Sequence, residues 1–530
     1  MMKKNIKYLA VLALGFIACE PEFDTPLEES IAESYSSGTA DFSTYVSLGN
    51  SLTAGYADDA LYISGQENSY PNILAQQFAL VGGGDFTQPL MNDNVGGLLV
   101  NGTQILENRL VLAVGEDGSP SPSRYTGGTA TTDVLTDIGS SFNNMGVPGA
   151  KSFHLVADGY GSVDGVALGL ANPFYARFAS SASTNVIADA VAQNPTFFTL
   201  WIGSNDVLGY ATSGGTGVDQ NAEGNLDPTT YASNDITNAN VFGAVYDQIL
   251  SAMTANEAKG VLINLPSVTS IPFFTTVPYA PLSPLDESFA AQIPSLNETY
   301  AGLNAAFAAV GVGGRAIEFS TTAASPVVIK DETLTDVTEN LALALAGTFG
   351  PLAPIIAAQY GQARQATEND LLLLTSSGVI GEVDTARVEE LVALGVPAET
   401  AGQLSVTGLT LPMDDQYVLT SSEQTSISNA LSSYNATIDA LGAAYGLPVY
   451  DAAADLELVA TSGYFFEGGV LTSEFAAGGA FSLDGVHPTP RAHAFTANAI
   501  LDVIKTTYDT ELPRVDLASY GTVTFSDEVN

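Results

Sequence analysis

At 530 residues the chain is longer than a typical single domain, and 46% hydrophobic residues provide a large core, which excludes global disorder. A net charge of −43 makes polyanions such as nucleic acid poor partners. A single cysteine, Cys19, rules out an intrachain disulfide and any cysteine-based metal cluster.

Residues 1–18 read as an export signal. Lys3, Lys4 and Lys7 form a basic start, and Leu9 to Ile17 is an apolar stretch too short to span a bilayer. Ala18 then places a small residue before Cys19, a position that resembles the bacterial lipoprotein signal, with Phe16 where leucine is usual. In such signals the cysteine is lipidated and becomes the mature terminus, tethering the protein to a membrane without spanning it. A plain secretory signal with an incidental cysteine is the alternative. Removing residues 1–18 takes away three lysines and no acid, leaving 12 basic against 58 acidic residues and a charge of −46. That acidity serves solubility and says nothing about chemistry. Residues 19–40 are acidic and Ser/Thr-rich and read as a tether.

Strand-like runs follow at Thr44–Gly49, Phe142–Val147, Thr196–Gly203, Gly260–Pro266 and Leu447–Asp451. Their apolar residues do not alternate, as expected of a parallel sheet covered by helices on both faces. Residues 62–140 read as long loops around a short helix at Pro71–Phe78. Residues 267–412 form the largest insertion, expected to be mainly helical. Its apolar stretch from Leu341 to Ile356 is interrupted by Gly347, Gly350, Pro351 and Pro354, so neither it nor Leu371–Leu374 is a membrane span. A helical hairpin over the sheet is one reading, and a cap lining an acyl-binding groove is the other. Between Ser421 and Tyr445 the apolar spacing predicts a helix, opened by a Thr420/Glu423 capping box and closed by Gly446. A last helix starts near Pro490, and residues 511–530 form an extension.

Four segments carry candidate chemistry. Ser51 follows the first strand in Gly49-Asn50-Ser51-Leu52-Thr53, where a βα turn presents backbone N–H groups. Its plain reading is a helix N-cap. Gly149, with Gly146 as its rival, ends the second strand, and a glycine there lets a backbone N–H approach an oxyanion. Asn205 ends the third strand in Gly203-Ser204-Asn205-Asp206 and can donate an amide N–H to the same anion. Asp484 lies three residues before His487, close enough to accept the imidazole Nδ1–H and leave Nε2 free to take a serine proton. His493 reads as structural, and His154 could border the cleft. The acidic loop Gly217–Asp235 lacks EF-hand spacing and is a weak calcium candidate.

In this order the four blocks resemble the SGNH, or GDSL, hydrolase superfamily over residues 41–510, with the insertions unmatched. The Gly-Asn-Ser-Leu-Thr variant and the phrase Asn264–Pro272 are similar to outer-membrane lipoprotein esterases of Bacteroidetes-type bacteria. The resemblance implies a three-layer α/β/α sandwich with a flavodoxin-like five-stranded parallel sheet. It implies Ser51 as nucleophile, His487 as base and Asp484 as its orienting partner. Ser51 and Gly149 N–H groups and Asn205 would form the oxyanion hole. No metal or other cofactor is implied. Asn50 departs from the aspartate usual in the first block. The expected activity is ester hydrolysis in the cell envelope, on lipid or other acyl esters, or alternatively on carbohydrate O-acetyl groups. A non-catalytic surface binding or adhesion lipoprotein on a hydrolase scaffold is the reading from another class.

Overall fold

The computed structural model describes residues 35–115 and 118–529. The export signal, Cys19 and the tether up to residue 34 lie outside the described residues. In chain order, the elements that position the site are β1 (Tyr45–Gly49), α1 (Ser51–Ala54), α2 (Tyr70–Ala79), β2 (Asn144–Gly146) and β3 (Phe197–Trp201). They continue with α3 (Asn205–Thr212), α4 (Ala239–Met253), β4 (Lys259–Ile263), α5 (Ser421–Tyr445), β5 (Val449–Tyr450), α6 (Ala452–Thr461) and α7 (Pro490–Tyr508).

The five strands form one parallel sheet in the order β2-β1-β3-β4-β5. All residues of β1 and β3 are buried, because helices cover both faces. On one face Tyr45 meets Phe78 of α2 edge-on at 5.0 Å, and Phe197 meets Tyr508 of α7 at 5.7 Å. On the other, Phe242 of α4 stacks on Tyr434 of α5 at 4.3 Å, and any side chain at Gly442 of α5 would press on Leu262 of β4. The molecule is therefore an α/β protein with helices layered on both sides of a five-stranded parallel sheet. The register pairs Gly49 with both Gly146 and Trp201, so β1, β2 and β3 end level with one another. Strand order reverses on either side of β1, and that switch point opens a crevice at the carboxyl edge.

Helix caps follow the local sequence. Thr420 and Glu423 form the capping box of α5, and Gly446 ends it in the left-handed region. Thr489 caps α7, with Pro490 at its first position.

Residues 62–140 are more ordered than a set of loops. They hold α2 and two antiparallel hairpins, Gly96–Val100 with Thr103–Asn108 and Leu110–Val114 with Pro120–Arg124. The 267–412 insertion buries a core of its own, which includes Phe307, Phe319, Leu341, Leu345 and Tyr360. Thr338–Tyr360 is long and apolar enough by composition to cross a membrane. It folds instead as two helices, Thr338–Phe349 and Ala353–Tyr360, around a turn at Gly350–Leu352, and each is too short to cross a bilayer. The C-terminal extension is also placed, with Leu112 N–H donating to the Thr524 carbonyl.

His493 ties α7 to α2. Its Nδ1 accepts the Tyr70 N–H at 3.3 Å, one of the orphan donors at the start of α2. Burial, reinforced by the nearby His487, pushes its pKa down to about 3. An unfolded imidazole titrates near ~6.5, so as pH falls below that value the unfolded chain takes up the proton first. The stability this group contributes is present above that pH and is lost as pH falls toward 3. Between pH 8 and pH 5 the loss amounts to about 2 kcal/mol. Urea-unfolding midpoints measured across that range should fall, and His493→Asn, which keeps an acceptor for Tyr70, should flatten the slope.

Candidate active site

The turn after β1 is tight. A Cβ on Gly49 would lie 2.1 Å from Thr53 Oγ1 and 2.5 Å from the Trp201 carbonyl, so only glycine fits. Asn50, and not Ser51, is the cap: its Oδ1 accepts the Leu52 N–H at 3.0 Å. Ser51 is thereby the first helical residue of α1. That helix is a single turn, ended by Gly55, so the dipole expected from the sequence is small. What the turn supplies is a fixed direction for the Ser51 side chain.

That side chain meets His487 from the far end of the chain. The Ser51 Oγ lies 2.9 Å from His487 Nε2, and His487 Nδ1 lies 2.9 Å from Asp484 Oδ2. Ser51 is 6% exposed, and the Tyr56 ring leans over the imidazole at 4.7 Å between centroids. Asp484 Oδ1 accepts the N–H groups of Val486 and His487, both at 2.8 Å, and Oδ2 also accepts the Asp59 N–H at 2.8 Å. Burial alone would raise this carboxyl. The charge and hydrogen bonds of His487, with the Asp59 N–H, outweigh it and hold the pKa at about 2.

The other two predicted residues stand on the same sheet edge. Gly149 is exposed, adopts φ +79° and has open space where a Cβ would lie, and its N–H has no partner among the described residues. Gly146 is different: it is buried, its N–H donates to Asn144 Oδ1, and a Cβ there would strike Ala54. Of the two rivals, Gly149 is the one with a free donor. Asn205 donates one Nδ2–H to the Ala150 carbonyl at 2.9 Å and retains a second. The spacing of these loops is held by Asp206, which accepts from the Ser152 hydroxyl at 2.6 Å and its N–H at 2.8 Å. Lys151 Nζ pins the same loop to the Asp235 carbonyl at 2.7 Å.

His154 packs on Tyr160, takes the Lys151 N–H on Nδ1 and does not line the cleft. Burial and Lys151 push its pKa down to about 4. In Gly217–Asp235, the Asp219, Asp227 and Asp235 carboxylates are engaged by neighbouring N–H groups. Among the described residues, no group of three or more His, Cys, Asp or Glu side chains gathers in a metal-holding arrangement.

The sequence reading missed the residues that hold the histidine loop. Asp58 and Asp59 both adopt left-handed backbone, at φ +53° and +58°. Asp58 N–H donates to Ser482 Oγ at 2.9 Å, and Asp58 Oδ1 accepts the Leu483 N–H at 3.0 Å. Asp58 Oδ2 accepts from the Tyr62 hydroxyl at 2.8 Å and pairs with Arg109 at 2.7 Å. Arg109 comes from the 62–140 insertion, stacks over the Tyr62 ring and also reaches Thr524 of the extension. Asp58 and Arg109 are each 2% exposed. From the other insertion, Phe273 N–H donates to the Gly485 carbonyl. Both insertions thus brace the Asp484–His487 loop.

A cavity of about 900 Å³, counting its open mouth, begins at Ser51, His487 and Asn205. Among the described residues its wall takes Ser267, Val268 and Ile271 from the start of the 267–412 insertion but nothing from the helices at 338–360, so the hairpin does not line a groove at this site. Comparison with family models, with curated proteins and with solved structures found no match.

Breaking the buried pair tests the brace. Arg109→Met leaves a carboxyl buried without its partner and should cost about 3–5 kcal/mol. In urea titrations, the double variant Asp58→Asn/Arg109→Met should lose less stability than Arg109→Met alone.

Proposed function

We propose that this chain is a serine-dependent carboxylic ester hydrolase of the SGNH type. The observation that carries the reading is the Ser51–His487–Asp484 hydrogen-bonded series, drawn from two segments more than 430 residues apart. Ser51, Gly149 and Asn205, each with an N–H that has no partner among the described residues, follow the level ends of β1, β2 and β3.

Ser51 Oγ attacks the ester carbonyl while His487 Nε2 takes its proton. Negative charge develops on the carbonyl oxygen, and the N–H groups of Ser51 and Gly149, with the free Nδ2–H of Asn205, receive it. The C–O bond to the alcohol then breaks, and the departing oxygen takes the proton from His487. Water repeats the sequence on the acyl–Ser51 ester, with His487 again as base, and releases the carboxylic acid. Asp484 holds the imidazole in the tautomer with Nδ1–H throughout and remains ionised above pH ~3, since its pKa is held at about 2. The roles use only side-chain and backbone groups of this chain.

The leader at residues 1–19 supports placement in the cell envelope through a lipid on Cys19. Cys19→Ala should move the protein from the membrane fraction to the soluble fraction on cell fractionation.

A fluorophosphonate probe should label Ser51, and Ser51→Ala should remain folded while losing both labelling and most turnover of p-nitrophenyl esters. Asn205→Ala should lower kcat on the order of 10²–10³-fold. Equal turnover by Ser51→Ala would overturn the assignment. Absence of labelling in folded protein would favour a binding module on a hydrolase scaffold.

A further inference from the structure

The cavity that opens at Ser51 runs along the carboxyl edge of the sheet, past Trp201, Pro266 and Tyr450. It then passes between α6 and the start of α7. Its inner wall there is made by Leu456 and Val459 of α6, Phe495 of α7, and Leu471 and Phe481 from the segment before the histidine loop. Val459, Leu471, Phe481 and Phe495 are all buried, yet they border open space.

Polar groups in this wall are few. Asp455 accepts the Tyr450 hydroxyl at 2.7 Å, and burial raises its pKa, which favours the neutral form. Among the described lining residues there is no lysine or arginine to receive a phosphate or carboxylate. Few donors and acceptors are spaced along it to replace the water around a sugar. A slot lined in this way suits a flexible hydrocarbon chain.

Which half of an ester would occupy it follows from the order of bond breaking. The alcohol must depart before water can attack, whereas the acyl group stays bonded to Ser51 until the end. A slot that starts at the nucleophile accommodates the part that stays. On the reading of Ser51 as nucleophile, we infer that this slot holds the acyl chain, so that the preferred substrates are esters of medium- or long-chain fatty acids. Acetyl esters on carbohydrate leave it empty. Each methylene seated there favours the longer ester about fourfold.

The test uses the full-length chain with p-nitrophenyl esters from acetyl to decanoyl, beside decyl acetate and ethyl acetate. The decanoyl ester should exceed the acetyl ester in kcat/KM by at least tenfold, and decyl acetate should show no comparable gain over ethyl acetate. Val459→Trp or, as a milder change, Leu456→Phe should lower the decanoyl-to-acetyl ratio at least tenfold. An acetyl preference in the parent, or a gain with decyl rather than decanoyl, would overturn the inference. Decanoate binding to Ser51→Ala, followed by calorimetry, separates this claim from the hydrolase reading. Binding that Val459→Trp weakens tenfold supports the slot even if no ester is turned over. No binding to Ser51→Ala removes the slot even if short esters are hydrolysed.

Discussion

The Asp484 carboxylate is the interaction on which the rest of the site depends. It accepts four N–H groups, two from its own loop, one from the His487 ring and one from Asp59. A buried carboxylate is costly unless its lone pairs are filled, and here they are. The same four bonds fix where the imidazole lies and which nitrogen faces Ser51. They also join the turn after α1 to the loop before α7, so the segments that carry Ser51 and His487 are tied to one anion.

Around that anion the chain has arranged a second layer of constraint. Asp58 is bonded to both the backbone and the side chain of the 482–483 segment, and Arg109 satisfies its remaining face. A buried ion pair of this kind is weak evidence for stability, because desolvation offsets much of the attraction. Its geometric value is clearer. The left-handed backbone at Asp58 and Asp59 turns two successive N–H groups toward Ser482 and Asp484, and the ion pair keeps it there. This explains a use for the 62–140 insertion that its sequence does not suggest. The junction between its two hairpins delivers one arginine, and the extension at Thr524 holds that arginine from behind.

Elements whose cause is local were legible. The five strands, the capping box of α5 and the proline start of α7 need only neighbours within a few residues. The site residues were legible for the same reason, since each sits at the end of a readable strand or in a short Asp-x-x-His loop. The first hairpin of the 62–140 region had a signal that went unused: Asn101-Gly102 between β-rich runs, both at positive φ. The second did not, because Pro120–Arg124 carries two prolines, which strands usually exclude. The Asp59–Asp484 bond joins residues 425 positions apart, and no periodicity reports such a pairing. The separate core of the large insertion was hidden likewise. An apolar helix face states that it needs a partner, not which one.

Asn50 shows why a departure from the resembled pattern is compatible with the same geometry. The turn requires an acceptor for the Leu52 N–H, and the Oδ1 of asparagine provides it as an aspartate oxygen would. It does not require a charge. Asn50 is 1% exposed, and its Nδ2 has no hydrogen-bond partner among the described residues. An unpaired buried amide N–H costs about 1–3 kcal/mol, whereas an unpaired carboxylate in the same place would cost more. A negative charge beside Ser51 would also oppose the oxyanion that the proposed chemistry builds at that turn. With a neutral residue at position 50, the Ser51 N–H would meet the developing charge of that proposed step without a competing anion next to it in the chain.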